Sequence, residues 1–176
     1  MHRTRLLTVL ALSVTAVTVR AQDNPLSTEV KQAWTRTWNN VVAAAEKMPE
    51  ANYGFKPAPE SQSFAELVAH TADSALGSCS AYNGERKQGA AKGVTAKADL
   101  VAALKAAGAE CDKAYGGITD ATAIQVVQGP RGSRTRLGML YGNEIHIEHE
   151  YAQMAVHLRL KGIVPPSSEP RPSSSK

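Results

Sequence analysis

The stretch GNEIHIEHEYAQMAVH, residues 142–157, carries three histidines and three glutamates among apolar residues that recur at helical spacing. This pattern predicts an amphipathic helix. At about 100° per residue, His146 and Glu150 fall on one line between two apolar flanks, whereas Glu144 and Glu148 fall on an outer face that we expect to be in solvent. The stretch therefore predicts a helix that carries a histidine and a carboxylate toward the protein interior.

Working outward from this stretch, the sequence predicts four helices, at about 28–48, 63–82, 96–115 and 135–161. Ser63 and Glu66 have the spacing of a capping box at the start of the second helix. No convincing strand pattern is present, although AIQVV in the segment before the last helix is compatible with a short extended piece. Four amphipathic helices of this length predict an all-α protein with the architecture of a four-helix bundle.

The ends of the chain are expected to lie outside this bundle. A short basic start, an apolar run of about 14 residues and small residues before Gln22 predict a signal peptide at 1–21 that is cleaved after Ala21. The protein is therefore expected to be secreted or periplasmic. The apolar run is shorter than the roughly 20 residues of a membrane span, so no stable membrane anchor is expected. The bundle is assigned to 22–165, and 166–176 is a Pro/Ser-rich tail that is predicted not to pack.

The charge of the mature chain argues against nucleic acid as a partner. Three of the 20 Lys and Arg residues lie in the leader, which leaves 17 against 16 Asp and Glu. A nearly neutral chain has no reason to bind a polyanion. The partners that remain are a small-molecule ligand or substrate and a second copy of the chain in a homodimer.

A candidate metal site is formed by the helix of the opening stretch and the predicted second helix. His70 is the one histidine of the mature chain outside the last helix, and it lies beside small residues that allow a neighbouring helix to approach. An i, i+4 pair such as His146 and Glu150, joined by one residue from a facing helix, is a common metal site in helical bundles. The alternative is a buried, hydrogen-bonded His–Glu pair without metal.

Two other groups of side chains leave alternatives open. Cys79 and Cys111 fall on apolar helix faces, where they form either a disulfide between helices or two buried thiols. Arg131, Arg134 and Arg136 precede the last helix and are either a solvated loop or, if the loop closes over the site, a holder for an anionic substrate group.

The chain resembles the DinB-like (DinB/YfiT) family of metal-binding four-helix bundles. The resemblance covers residues 28–168 and is carried by AAEKMPEANYGFKPAPESQSFAELVAHTADS, TAKADLVAALKAAGAECDKAY and HIEHEYAQMAVHLRLKGIVPPSS. In that family a histidine of the second helix and an H-x-x-x-H pair of the last helix bind a divalent metal. The resemblance therefore implies His70, His146 and the position of Glu150 as ligands.

Glu150 stands where the family pattern has histidine. Two histidines with one carboxylate suit zinc and also non-haem iron, so zinc, nickel and iron are the expected ions. Alternatively, His149 replaces Glu150 as third ligand by a small rotation of the helix, since it lies about 60° from the ligand line, or the metal is lost.

Relatives of this kind include metal-dependent enzymes, so the resemblance implies a metal-dependent hydrolase or a thiol-type transferase, with its substrate unknown. The alternative is a bundle that binds a metal or a small ligand without catalysis, or a degenerate member in which the three side chains only hold helices together. Metal content and an open coordination position distinguish these functions.

We expect the exported protein to begin at or near Gln22, because the small residues before that position fit the cleavage step of export. Intact-mass spectrometry of the secreted or periplasmic fraction measures this directly. The whole-cell precursor serves as the control, and Met1 retained in the exported fraction would contradict the assignment.

Overall fold

The computed structural model describes residues 23–129 and 132–170, and this part of the chain is mostly helical, as predicted. The α-helices are α1 (Pro25–Lys47), α2 (Phe64–Tyr82), α3 (Lys97–Gly117), α4 (Asp120–Ala123) and α5 (Arg136–Leu160). The strands β1 (Val126–Gly129) and β2 (Gly132–Thr135) form an antiparallel hairpin, and 3-10 helices occupy Glu50–Asn52 and Pro166–Ser168. None of the helices described is both long and apolar enough to cross a membrane.

The number of helices differs from the four predicted. The four long helices correspond to the predicted segments, and α4 adds one short turn that is capped by the Thr119 and Thr122 side chains. The β1–β2 hairpin was also not predicted, apart from the extended piece. Its four-residue strands are too short for a period-2 pattern, and all of β2 is exposed. The hairpin is therefore defined by backbone pairing that hydrophobic periodicity does not report.

The start of α2 is fixed by the predicted capping box. The backbone N–H of Glu66 donates to Ser63 Oγ at 3.2 Å, and the Ser63 N–H donates to a Glu66 carboxylate oxygen at 2.7 Å. Two of the free N–H groups of the helix start are satisfied in this way. The box fixes where α2 begins, two turns before His70.

The long helices surround one apolar core. Helix α2 packs against α3 and α5, and α1 packs against the same two helices. Helices α2 and α5 are antiparallel, since Arg136 stacks on Tyr82 at one end of the pair and His157 contacts the Gln62 carbonyl at the other. The largest fully buried side chains at the centre of the core include Trp34, Phe64, Leu67, Leu104, Ile147 and Met154.

Cys79 of α2 and Cys111 of α3 form a disulfide, which decides between the two alternatives that the sequence left open. Their Cα atoms are 4.9 Å apart, and both side chains are buried. The bridge links α3 to the helix that carries His70.

One of the two glutamates of α5 that were predicted to be solvated departs from that prediction. Glu144 is buried, and Glu148 stays exposed. The Thr37 hydroxyl of α1 lies 3.1 Å from Oε1 of Glu144 and 2.7 Å from Oε2 of Glu148. The face predicted to be in solvent therefore contacts α1 at Thr37, and this contact accompanies the burial of Glu144.

One of the two apolar flanks predicted for α5 is exposed to solvent. Ile145 is 64% exposed and Leu160 is 57% exposed, and Val156 is exposed with them. Helix α5 is covered by α1 and α2, and its third face has no neighbouring helix among the described residues. Periodicity identifies apolar flanks but does not say which of them meets another helix.

The first residues of the predicted tail are packed. Tyr151 donates its hydroxyl to Ser167 Oγ at 2.7 Å and accepts the Ser167 N–H at 2.9 Å, and Glu169 pairs with Lys47. The expectation that the tail does not pack is therefore wrong for these residues. The predicted signal peptide and residues 171–176 lie outside the described residues.

Replacing Cys79 and Cys111 together by alanine should lower the free energy of unfolding. The cysteines are separated by 32 positions, and a closed loop of that length restricts the unfolded chain by about 3–4 kcal/mol. Urea denaturation of the mature protein measures the change, with reduced wild type as the control. Full labelling of both thiols in unfolded, unreduced wild type would show that the bridge is absent.

Candidate metal centre

Three predicted ligand residues come together at the interface of α2 and α5. His146 and Glu150 are one turn apart on α5, so their side chains project from the same side of that helix. His70 projects from α2, which runs antiparallel beside it. His70, His146 and Glu150 each offer one ligand atom, and these atoms all lie within 4.8 Å of one another.

The distances within this triad are compatible with a shared metal ion. Oε1 of Glu150 lies 3.7 Å from Nε2 of His70 and 3.6 Å from Nδ1 of His146. The two imidazole rings are perpendicular, with centroids 5.2 Å apart. Nitrogen and oxygen ligands bound to one zinc ion at 2.0–2.2 Å are separated by roughly 3–3.5 Å. Small side-chain adjustments would therefore bring all three atoms onto one ion.

The triad is buried at its base and open at its rim. The Glu150 side chain is 5% exposed, whereas those of His70 and His146 are 45% and 39% exposed. A carboxylate in the interior needs compensating partners. A substrate or water can approach such a site from the side of the imidazoles.

Gln153 supports the buried carboxylate. Its Nε2 donates to Oε2 of Glu150 at 3.0 Å, which leaves Oε1 directed toward the two imidazoles. An outer hydrogen bond of this kind orients a metal ligand. Gln153 is thus a hydrogen-bond partner of Glu150 and not only a packing residue.

The protonation of His146 also favours metal binding. Burial lowers the pKa of its imidazole below the usual range; the Glu150 carboxylate opposes this shift, and His70 adds to it. A lowered pKa favours the neutral imidazole, which is the form that binds metal ions.

Other histidines of α5 do not join the triad. His149, the alternative third ligand, is exposed and outside the group of converging ligand atoms. His157 is buried, with Nδ1 2.9 Å from the Gln153 carbonyl oxygen and Nε2 3.1 Å from that of Gln62. It links the loop before α2 to α5, and both of its ring nitrogens lie beside backbone oxygens instead of the triad.

Sequence reasoning missed one polar neighbour of the triad. The Ser74 hydroxyl lies 3.4 Å from Nε2 of His70, one turn along α2. Its i, i+4 spacing from His70 is the sequence feature that would have identified it. Arg131 of the predicted basic cluster lies outside the described residues.

The fold and the triad together define a helical protein with a candidate His/His/Glu metal site. A model of the DinB superfamily matches residues 33–154, which is more than half of the chain and includes the whole triad. The chain belongs to the DinB superfamily, and the resemblance inferred from its sequence is confirmed.

A solved structure has the same fold. The crystal structure of a DinB-like protein from Bacillus cereus ATCC 10987 superposes with a TM-score of 0.66 at 15% sequence identity. The match covers 79% of this chain and 95% of that chain. At this identity the likeness is one of fold alone. No curated protein matches the chain.

Gln153→Ala should weaken zinc binding roughly tenfold, because the carboxylate of Glu150 loses the hydrogen bond that orients it. Competition titration with a zinc chelator measures the affinity. Gln32→Ala, at an exposed position of α1, is the matched control and should bind as wild type does. Equal affinity in all three proteins would show that Gln153 only packs against the site.

Proposed function

We propose that this protein is an exported metal protein of the DinB superfamily, a four-helix bundle of α1, α2, α3 and α5. In this proposal His70, His146 and Glu150 bind one divalent ion. The observation that carries the proposal is the convergence of three ligand atoms, from two helices, within 4.8 Å. Zinc, nickel and iron are the candidate ions, since two imidazoles and one carboxylate suit each of them.

The function that this site supports best is that of a metal-dependent hydrolase or a thiol-type transferase acting on a small molecule. Three protein ligands leave at least one coordination position open, as catalytic sites require. A bound ion would supply Lewis-acid polarisation of a substrate group. Glu150 and Gln153 would hold the base of the site, and the half-exposed imidazoles would bind from the rim.

The second candidate function is non-catalytic. Without an ion, the contact between Nε2 of His70 and Oε1 of Glu150 at 3.7 Å would link α2 to α5, and Nδ1 of His146 at 3.6 Å would add a contact within α5. The triad would then be structural, or would bind a metal or small ligand without turnover. Metal content and an open coordination position separate this candidate from the enzyme.

Two further observations support the rest of the proposal. A disulfide such as Cys79–Cys111 persists in oxidising compartments, which supports a secreted or periplasmic location and the signal peptide at 1–21. The exposed apolar side chains of Ile145 and Val156 on α5 support a homodimer, because a second copy would bury them.

Glu150→Ala and His146→Ala should each remove most of the thermal shift that added zinc produces, because each substitution removes a ligand. His149→Ala is the matched control on the same helix and should retain the shift. Elemental analysis of the purified mature protein should show close to one ion per chain. Loss of the shift in His149→Ala alone would reject Glu150 as the third ligand.

Cobalt-loaded protein tests whether the bound ion has an open coordination position. Azide should change its visible absorption spectrum if a position is free, as the enzyme requires. An unchanged spectrum would favour the non-catalytic candidate. Absence of any metal uptake by wild type would reject both metal-binding functions.

A further inference from the structure

The ligand-bearing sides of α2 and α5 continue beyond the triad as a strip of small residues. On α2, Ser74 and Gly77 follow His70 at helical spacing, and on α5, Gly142 precedes His146 by one turn. Because the helices are antiparallel, both series run from the triad toward the end of α2 and the start of α5. We call this strip the α2/α5 groove.

Two arginine side chains lie over the glycines of the groove. A Cβ built on Gly142 would lie 2.6 Å from Nη2 and 3.0 Å from Nη1 of Arg134, so alanine at this position would force the flexible guanidinium to shift. A Cβ built on Gly77 would lie 3.9 Å from Nη2 of Arg86. Arg134 comes from strand β2, and Arg86 comes from the connection between α2 and α3. Two separate segments therefore bring one guanidinium beside Gly77 of α2 and one beside Gly142 of α5.

Neither guanidinium is neutralised within the described part of the protein. The ion pairs formed there involve neither Arg86 nor Arg134. Arg134 donates from Nη2 to the Gly138 carbonyl oxygen at 2.6 Å, which holds its side chain against α5. Arg136 adds a third positive charge where it stacks on Tyr82, 4.2 Å from the ring centroid. Three arginines thus lie near the end of α2 and the start of α5.

The spacing along the helices between the two glycines beside the arginines and the triad suits one small molecule. Gly142 is four residues from His146, or about 6 Å along the helix axis, and Gly77 is seven residues from His70, or about 10 Å. The planar, multiply donating guanidinium matches carboxylate and phosphate groups. A molecule of a few bonds can therefore reach the arginines with one end and the triad with the other.

We propose that the α2/α5 groove binds an anionic small molecule whose carboxylate or phosphate group is held by Arg86 and Arg134, with its other end at His70, His146 and Glu150. This inference deepens the proposed metal-dependent function by naming its substrate class as anionic. The part of it that places one end of the molecule at His70, His146 and Glu150 rests on that proposed function. The binding of the anionic group by Arg86 and Arg134 depends only on these two guanidiniums.

The first experiment uses metal-free mature protein, so that it tests the arginines alone. Amide chemical shifts are followed by NMR during titration with inorganic phosphate and, separately, with acetate. Arg86→Gln and Arg134→Gln should each weaken binding of the preferred anion about tenfold, because each removes a charge-assisted hydrogen bond. Arg36→Gln, at an exposed position of α1, is the matched control and should bind as wild type does.

A pair of glycine variants tests the position of Arg134 without removing its charge. Gly142→Ala should weaken anion binding, because the new Cβ would displace the guanidinium. Gly116→Ala is the matched control, since it lies at an exposed position of α3 where a Cβ would meet nothing within 4 Å. Equal binding by both variants and wild type would place the anion elsewhere.

The second experiment uses zinc-loaded protein and compares glutarate with acetate. Glutarate should bind about tenfold more tightly than acetate, because its two carboxylates span the triad and the arginines, and zinc removal should abolish this advantage. Wild type that takes up no zinc but still binds phosphate through Arg86 and Arg134 would reject the metal function and keep the anion site. Phosphate, acetate and glutarate binding that is unchanged in Arg86→Gln and Arg134→Gln would overturn the inference.

Discussion

The buried carboxylate of Glu150 constrains how α2 and α5 pack together. A charged group in the interior is costly unless polar groups surround it. Gln153 satisfies one of its oxygens from the same helix, and the other oxygen faces His146 and, across the interface, His70. Sliding α2 by one turn would move His70 about 5 Å away and remove the one contact that this oxygen makes with His70 across the interface. The requirements of one carboxylate therefore fix the register of the two helices.

The rest of the structure holds α2 in that register. The Ser63 capping box fixes its start, and the disulfide at Cys79 ties its last turns to α3. Near its start, His157 of α5 contacts the Gln62 carbonyl through one ring nitrogen and its own helix through the other. His70 projects between these restraints. The site is thus built on rigid elements, which keeps its ligand atoms close together before any ion binds.

In the proposed metal site, Glu150 stands where the resemblance to the DinB-like family implies a histidine, and it would change the chemistry of the site at the same position. A carboxylate adds negative charge and is a harder ligand than imidazole, so it shifts metal preference toward ions that accept oxygen. It also offsets part of the positive charge of a bound ion. In the proposed anion site, the guanidiniums of Arg86 and Arg134 would supply the positive charge that attracts an anion. Metal preference and substrate charge can in this way be set by different residues.

The sequence by itself determined the long helices, the capping box and the candidate triad, because these follow from spacing along one chain. Helical periodicity and the i, i+4 rule are local, and the lone histidine of α2 had few other roles. The tertiary structure alone decided the hairpin, the disulfide, the burial of Glu144 and the exposure of Ile145 and His149. Each of these depends on which distant segment lies beside a residue, and a helix with polar and apolar residues on several faces does not specify its neighbours.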